Sequence, residues 1–220
     1  MKEGYRVLCL AYKKLDGQTR DLERDEIEKD LIYGGLLILS CPLKNDTAKY
    51  IKILRKANLR NIMITGDSMY TAANTGAKLQ FGSSNHVFLV ENKAKTGFEW
   101  INIKDEKVED LKADRLDTLI KDRCLCLEGT TMKTLFQAKN KELFEKVILV
   151  SEIFARVSPD QKETIVKILK EHGNNVLMCG DGTNDVGALK ESDVGIALVG
   201  LKDEPTKEDK KLEKERKAKI

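Results

Sequence analysis

Val176-Leu177-Met178-Cys179-Gly180-Asp181-Gly182-Thr183-Asn184-Asp185 begins as an apolar run and breaks into two glycines, two carboxylates, an amide and a hydroxyl. Glycines and short polar side chains at the end of a buried strand weaken local structure unless something binds there. In an open parallel sheet, ligands sit where the strands end and helix N-termini converge. Hard oxygen donors at that place match Mg2+. The stretch thus points to an α/β fold and to the end of the sheet where chemistry is expected.

The same alternation of apolar strand and helix recurs on either side. It runs through Leu36-Leu37-Ile38-Leu39, a helix from Asp46 to Ala57, Asn61-Ile62-Met63-Ile64-Thr65 and a helix from Tyr70 to Leu79. It resumes with Ile153-Phe154-Ala155-Arg156-Val157, a helix to His172, a short helix to Glu191 and a strand from Val194 to Leu198. Strands apolar on both faces and joined by helices predict a doubly wound parallel sheet covered on both sides. Residues 31–200 are assigned to this domain. Within it, residues 83–150 have a different texture: His86 to Glu91 and Phe98 to Ile103 read as a hairpin and Lys133 to Phe144 as a helix, a small α+β insertion. Lys95-Thr96-Gly97 could be taken for part of a phosphorylation signature, but Ala94 stands where the nucleophile would be, so a hairpin turn is expected. Tyr5 to Tyr12 is a strand followed by a charged stretch, and residues 1–30 read as the remnant of a neighbouring unit. The tail, 201–220, carries eight basic and six acidic residues and is expected to be solvated.

Composition narrows the function classes. At 220 residues and 41% hydrophobic content the chain can bury one sizeable core. A net charge of +3 and 5% aromatic residues give neither the field nor the stacking surface for nucleic acid. Five cysteines, odd in number, set in apolar runs and without Cys-x-x-Cys spacing, read as reduced core thiols in a cytosolic setting. No apolar run reaches the roughly 18 residues that would span a bilayer.

Three stretches carry chemistry. Thr65-Gly66-Asp67 offers a hydroxyl and backbone N–H groups at a strand end, with a helix N-terminus following. Gly180 to Asp185 offers carboxylates. Ser158-Pro159-Asp160-Gln161 is a capping box with proline at the first helical position, which puts Lys162 in the first turn. A cation there opposes the helix dipole by about 0.3–1 kcal/mol, and a nearby anion reverses that sign.

In this order, the three motifs resemble those of the haloacid-dehalogenase-type phosphotransferases and, among them, the P-type ATPases. The second motif of that superfamily matches Thr65-Gly66-Asp67, its lysine motif Arg156 to Lys162, and its acidic metal motif Gly180 to Asp185. Where the family commonly has proline before Ala-Leu, this chain has Gly187, and Cys41-Pro42-Leu43-Lys44-Asn45-Asp46 closes the first strand; both are similar to type 5, subclass A. The resemblance implies that Asp181 coordinates Mg2+ with Asp185 in support, and that Asn184, Thr65 and the Gly66 amide bind phosphoryl oxygens. It further implies that Lys162 neutralises charge at a phosphorylated carboxylate and that Asp67 orients its neighbours. Gly4 to Leu8 resembles the end of the nucleotide-binding domain, with Arg6, and less directly Lys44, steadying ATP.

The family's Asp-Lys-Thr-Gly-Thr signature does not occur in these residues. The chain is therefore expected to be part of a parent ATPase, whose phosphorylatable aspartate segment, nucleotide-binding domain and membrane domain are its partners. The sheet, incomplete without its first strand, is expected to be open to self-association. For subclass A the resemblance implies the endoplasmic reticulum and transport of a transmembrane polypeptide segment. The alternatives are a non-catalytic binding fragment and a soluble phosphatase of the same superfamily. The phosphatase would need an Asp-x-Asp nucleophile after an early strand, and Asp16, Asp21, Asp25 and Asp30 do not provide one.

Overall fold

The computed structural model describes residues 4–15, 23–40, 42–83, 85–92, 94, 97–138 and 140–199. The charged tail and the Lys95-Thr96 turn expected from the sequence lie outside these residues. The chain divides into two units, Met1–Val157 and Ser158–Ile220.

The first unit opens with β1 (Arg6–Tyr12), α1 (Arg24–Ile27) and β2 (Ile32–Leu39). The β2 strand pairs antiparallel with β1, from Arg6 opposite Leu39 to Tyr12 opposite Ile32, with a register slip between Leu10 and Ala11. The slip faces Gly35, whose φ of 137° is open to glycine alone. This corrects the expectation that Leu36 to Leu39 would begin the parallel sheet: two apolar strands pair with each other instead. Leu8, Leu10, Leu36 and Ile38 are all exposed, so the ribbon is apolar without being covered.

The rest of the first unit contains α2 (Thr47–Lys56), β3 (Met63–Ile64), α3 (Met69–Lys78), β4 (His86–Asn92), β5 (Gly97–Asn102) and β6 (Val108–Asp110). It continues through α4 (Leu116–Asp122), β7 (Cys124–Glu128), α5 (Gly129–Gln137), α6 (Lys141–Val150) and β8 (Ile153–Ala155). Six strands form one sheet in the order β3-β8-β7-β4-β5-β6. The pairs β3–β8, β8–β7 and β7–β4 are parallel, while β4–β5 and β5–β6 are antiparallel. The sheet is thus mixed and not all parallel, and the predicted hairpin extends it because β4 pairs directly with β7. The helix predicted over 133–144 is two helices, α6 restarting where the Asn140 side chain accepts the Leu143 N–H at 3.0 Å.

Residues alternate across the sheet faces, so Cys124, Cys126, Ile153 and Ala155 pack under Met69 and Ala72 of α3. On α3 it is Gly76 that permits this approach, since a Cβ there would lie 2.5 Å from Ile153 Cδ1. On the same strands Leu125, Leu127 and Phe154 are fully buried, and α5 packs on β7 and β4.

The second unit contains α7 (Pro159–Glu171), β9 (Leu177–Gly180), a 3-10 turn over Thr183–Asp185, α8 (Val186–Glu191) and β10 (Val194–Ala197). The strands β9 and β10 are parallel, Leu177 opposite Val194 and Gly180 opposite Ala197. Val166 of α7, Met178 of β9 and Ala188 of α8 form its small core. Leu177, Val194 and Ile196 are exposed. Cys179 and, in β1, Cys9 are exposed too, which corrects the expectation of core thiols that Cys124 and Cys126 meet. No helix among the described residues is long and apolar enough to cross a membrane.

Candidate phosphoryl and Mg2+ site

In the first unit, β3 ends in the predicted Thr65-Gly66-Asp67. The Thr65 N–H donates to the Phe154 carbonyl at 2.8 Å, anchoring the strand end, and the Asp67 N–H donates to Thr65 Oγ1 at 3.1 Å. That bond folds the loop into a side-chain-closed turn. Ser68 then caps α3, accepting the Thr71 N–H at 3.4 Å. No heavy atom lies within 4 Å of a Cβ built on Gly66, so the loop is open at its tip. The Asp67 carboxylate forms an ion pair with Arg6 of β1. Two predicted residues 61 positions apart in the chain are thereby brought together. Lys44 is exposed, and its ammonium makes no ion pair among the described residues; only its carbonyl, accepting the Thr47 N–H, is engaged.

One feature of this loop was not assigned a role from sequence. The Arg156 N–H donates to the Asp67 carbonyl at 3.0 Å, and Arg156 adopts a φ of 48°, uncommon for a side chain of its kind. Its Nε lies 3.6 Å from Glu128 Oε1, at the carboxyl end of the neighbouring strand. Such left-handed residues cluster at functional turns. Nothing in the sequence around Arg156 signals it.

In the second unit the capping box of α7 is present: Ser158 Oγ accepts the Gln161 N–H at 3.3 Å and Gln161 Oε1 accepts the Ser158 N–H at 2.9 Å. This sets Lys162 in the first turn, where it is buried at 9% exposure and donates to Asp185 Oδ1 at 2.6 Å. The other Asp185 oxygen accepts the Gly182 N–H at 3.3 Å. A Cβ at Gly180 would come within 2.5 Å of Asp185 Cβ, so only glycine lets the chain fold back this tightly. Burial alone would raise the Asp185 carboxyl. The hydrogen bond and charge of Lys162, with backbone N–H groups of the loop, outweigh it and hold the carboxyl below the usual carboxylate range.

The loop therefore contains one carboxylate that is internally satisfied and one that is not. Asp181 and Asn184 are exposed. Among the described residues no three His, Cys, Asp or Glu side chains converge as a ready cage for a metal. That suits Mg2+, which keeps several waters and takes one or two carboxylates together with substrate phosphates. The donor set fits: hard oxygens only, Asp181 exposed, Asp185 held in place by Lys162 and the Gly182 N–H.

No protein-family model matches the chain. It is 36% identical over 205 residues to a probable manganese-transporting ATPase of Arabidopsis thaliana, covering 91% of this chain and 17% of that protein. It is 38% identical over 210 residues to an endoplasmic reticulum transmembrane helix translocase of Aspergillus fumigatus, covering 90% of this chain and 16% of that protein. It is 38% identical over 214 residues to a probable cation-transporting ATPase of Mus musculus, covering 89% of this chain and 18% of that protein. These relatives are type 5 P-type ATPases, and the chain, spanning less than a fifth of their length, corresponds to one part of them.

Proposed function

We propose that this chain is a cytosolic part of a P-type transport ATPase and supplies Mg2+- and phosphoryl-binding groups for ATP hydrolysis through an aspartyl-phosphate. The observation that carries this reading is the Gly180 to Asp185 loop, in which buried Lys162 and Asp185 are locked 2.6 Å apart beside exposed Asp181. A buried lysine and carboxylate are costly unless each is satisfied, and this pair fixes the loop before any ligand arrives.

Phosphoryl transfer is catalysed mainly by positioning and charge neutralisation, and these residues divide that work. The Thr65 hydroxyl and the Gly66 amide hold equatorial phosphoryl oxygens, as the open turn at Gly66 supports. In the second unit, Asn184 offers its amide to a phosphoryl oxygen. Lys162 sets positive charge near the phosphorylated carboxylate, and Asp181 supplies an oxygen to Mg2+, which lowers the charge on the phosphoryl group when bound. Arg6, carried on β1, reaches for the phosphates of ATP, and Asp67 holds its guanidinium until then. Lys44 has a minor part in steadying the nucleotide.

The domain reading follows. Residues 31–200 are the larger part of a haloacid-dehalogenase-like phosphorylation domain, and residues 1–30 end the nucleotide-binding domain. The pairing of β2 with β1 supports moving that boundary to the Ser40 to Lys44 region. The phosphorylated aspartate comes from another segment of the parent. The outer position of β3 in its sheet, and the pairing of β9 with β10 alone among the described residues, are each consistent with a strand from that segment pairing at that edge. The translocases among the relatives support a parent in the endoplasmic reticulum membrane acting on a transmembrane polypeptide segment.

Incubation of the 220-residue chain with acetyl phosphate or ATP and Mg2+, followed by intact mass measurement, tests the absence of the nucleophile. The expected result is no covalent adduct; a phosphorylated species overturns the assignment.

A further inference from the structure

The contact between α7 and α8 ends beside the Mg2+ loop. Val166 meets Ala188 in the small core, and Lys170, one turn further on, lies 3.8 Å from the Glu191 carboxylate and 3.7 Å from that of Asp193. Three residues before Val166, Glu163 faces Gly187. A Cβ at Gly187 would overlap the Glu163 carboxylate and approach its Cβ to 3.5 Å. The spacing 163, 166, 170 is one helix face, and Gly187 and Glu191 are one turn apart on the other. The acid on α7 therefore meets the first turn of α8 and the base meets its last, each sign favourable to the α8 dipole. Among the described residues no cation pairs with Glu163, so the space left by Gly187, and not an ion pair, brings its carboxylate in. Gly187 is two residues beyond Asp185, and Glu163 adjoins Lys162.

We infer that Glu163, admitted by the missing side chain of Gly187, is a positioning residue that adds negative potential to the Mg2+ loop and raises its affinity for the cation. This rests on the role proposed for Asp181. A carboxylate about two helical turns or less from a divalent cation, at near-surface screening, changes binding about threefold. It acts without ligating the metal.

The test is an Mg2+ titration of the 220-residue chain at low ionic strength, followed by the amide shifts of Gly180 and Gly182 in nuclear magnetic resonance spectra. Glu163→Gln, an exposed and nearly isosteric change, is expected to weaken binding about threefold. Gly187→Ala, which displaces the carboxylate, is expected to weaken it equally while raising the unfolding midpoint, because alanine is the better helix former. The double variant should be no weaker than either single one, and all losses should shrink in 0.5 M salt, roughly to nothing. The inference is overturned if either variant binds Mg2+ like the wild type while Asp181→Ala abolishes binding, or if the two losses multiply. Should Asp181→Ala itself bind Mg2+ unchanged, the reading of the site fails and this inference fails with it.

Discussion

The strand pairs β7–β8 and β9–β10 are alike in sequence and unlike in circumstance. Both are parallel, both are short and apolar, and both end in loops that carry polar residues. Every residue from Cys124 to Leu127 and from Ile153 to Ala155 is fully buried, because β3 and β4 flank the pair and helices cover it. In β9 and β10 only Met178 is buried, while Leu177 is 60% exposed and Val194 52%. Equal hydrophobicity thus gives unequal burial, since burial depends on neighbours that the strand itself does not specify. The acidic loop consequently owes its shape to α7 and α8 and to one ion pair, whereas the Thr65 loop is hung from the six-stranded sheet through the Thr65 N–H bond to the Phe154 carbonyl.

This difference predicts a hierarchy of mutational effects. Phe154→Ala, in β8, an inner strand of the six-stranded sheet, should destabilise the first unit by about 3–5 kcal/mol in a denaturant titration. Leu177→Ser, in a strand of similar character, should change stability by less than about 0.5 kcal/mol. A comparable cost at both positions would remove the distinction between the pairs.

Lys162→Met sharpens it from the other side. Leaving Asp185 buried without its partner should cost about 3 kcal/mol at neutral pH. In the wild type the folded Asp185 carboxyl titrates below its unfolded value of about 3.9, so its stabilising contribution is complete above that pH and is lost as pH falls through the lower folded value. In the variant the unpaired carboxyl instead prefers to be protonated. The gap between the two proteins should therefore narrow as pH falls below about 4, and a gap independent of pH would contradict the pairing.

The same comparison shows what the sequence made legible. Local chemistry was readable: the capping box at Ser158 to Gln161 positioned α7 and Lys162 as expected. Helices α2, α3 and α8 lie within a residue or two of their expected bounds, because stripes and breakers are local. Pairing was not legible. The strand Cys124 to Glu128 was not among the expected elements, and its place between β8 and β4 depends on residues about 30 positions away on each side. The turn of β2 toward β1 was equally hidden, since an apolar strand does not encode which apolar strand it joins. At the site, the residue types of Thr65 to Asp67 and Gly180 to Asp185 were apparent. The Arg6 contact to Asp67, the left-handed Arg156 and the seat of Glu163 against Gly187 required the fold.

Phosphoenzyme formation in the full-length parent tests the account most directly. With ATP and Mg2+ the parent should acquire an acid-stable, hydroxylamine-labile phosphate, and the Asp181→Ala form should acquire none while remaining folded. Undiminished, Mg2+-dependent phosphorylation of the Asp181→Ala protein would contradict the assignment of the Gly180 to Asp185 loop.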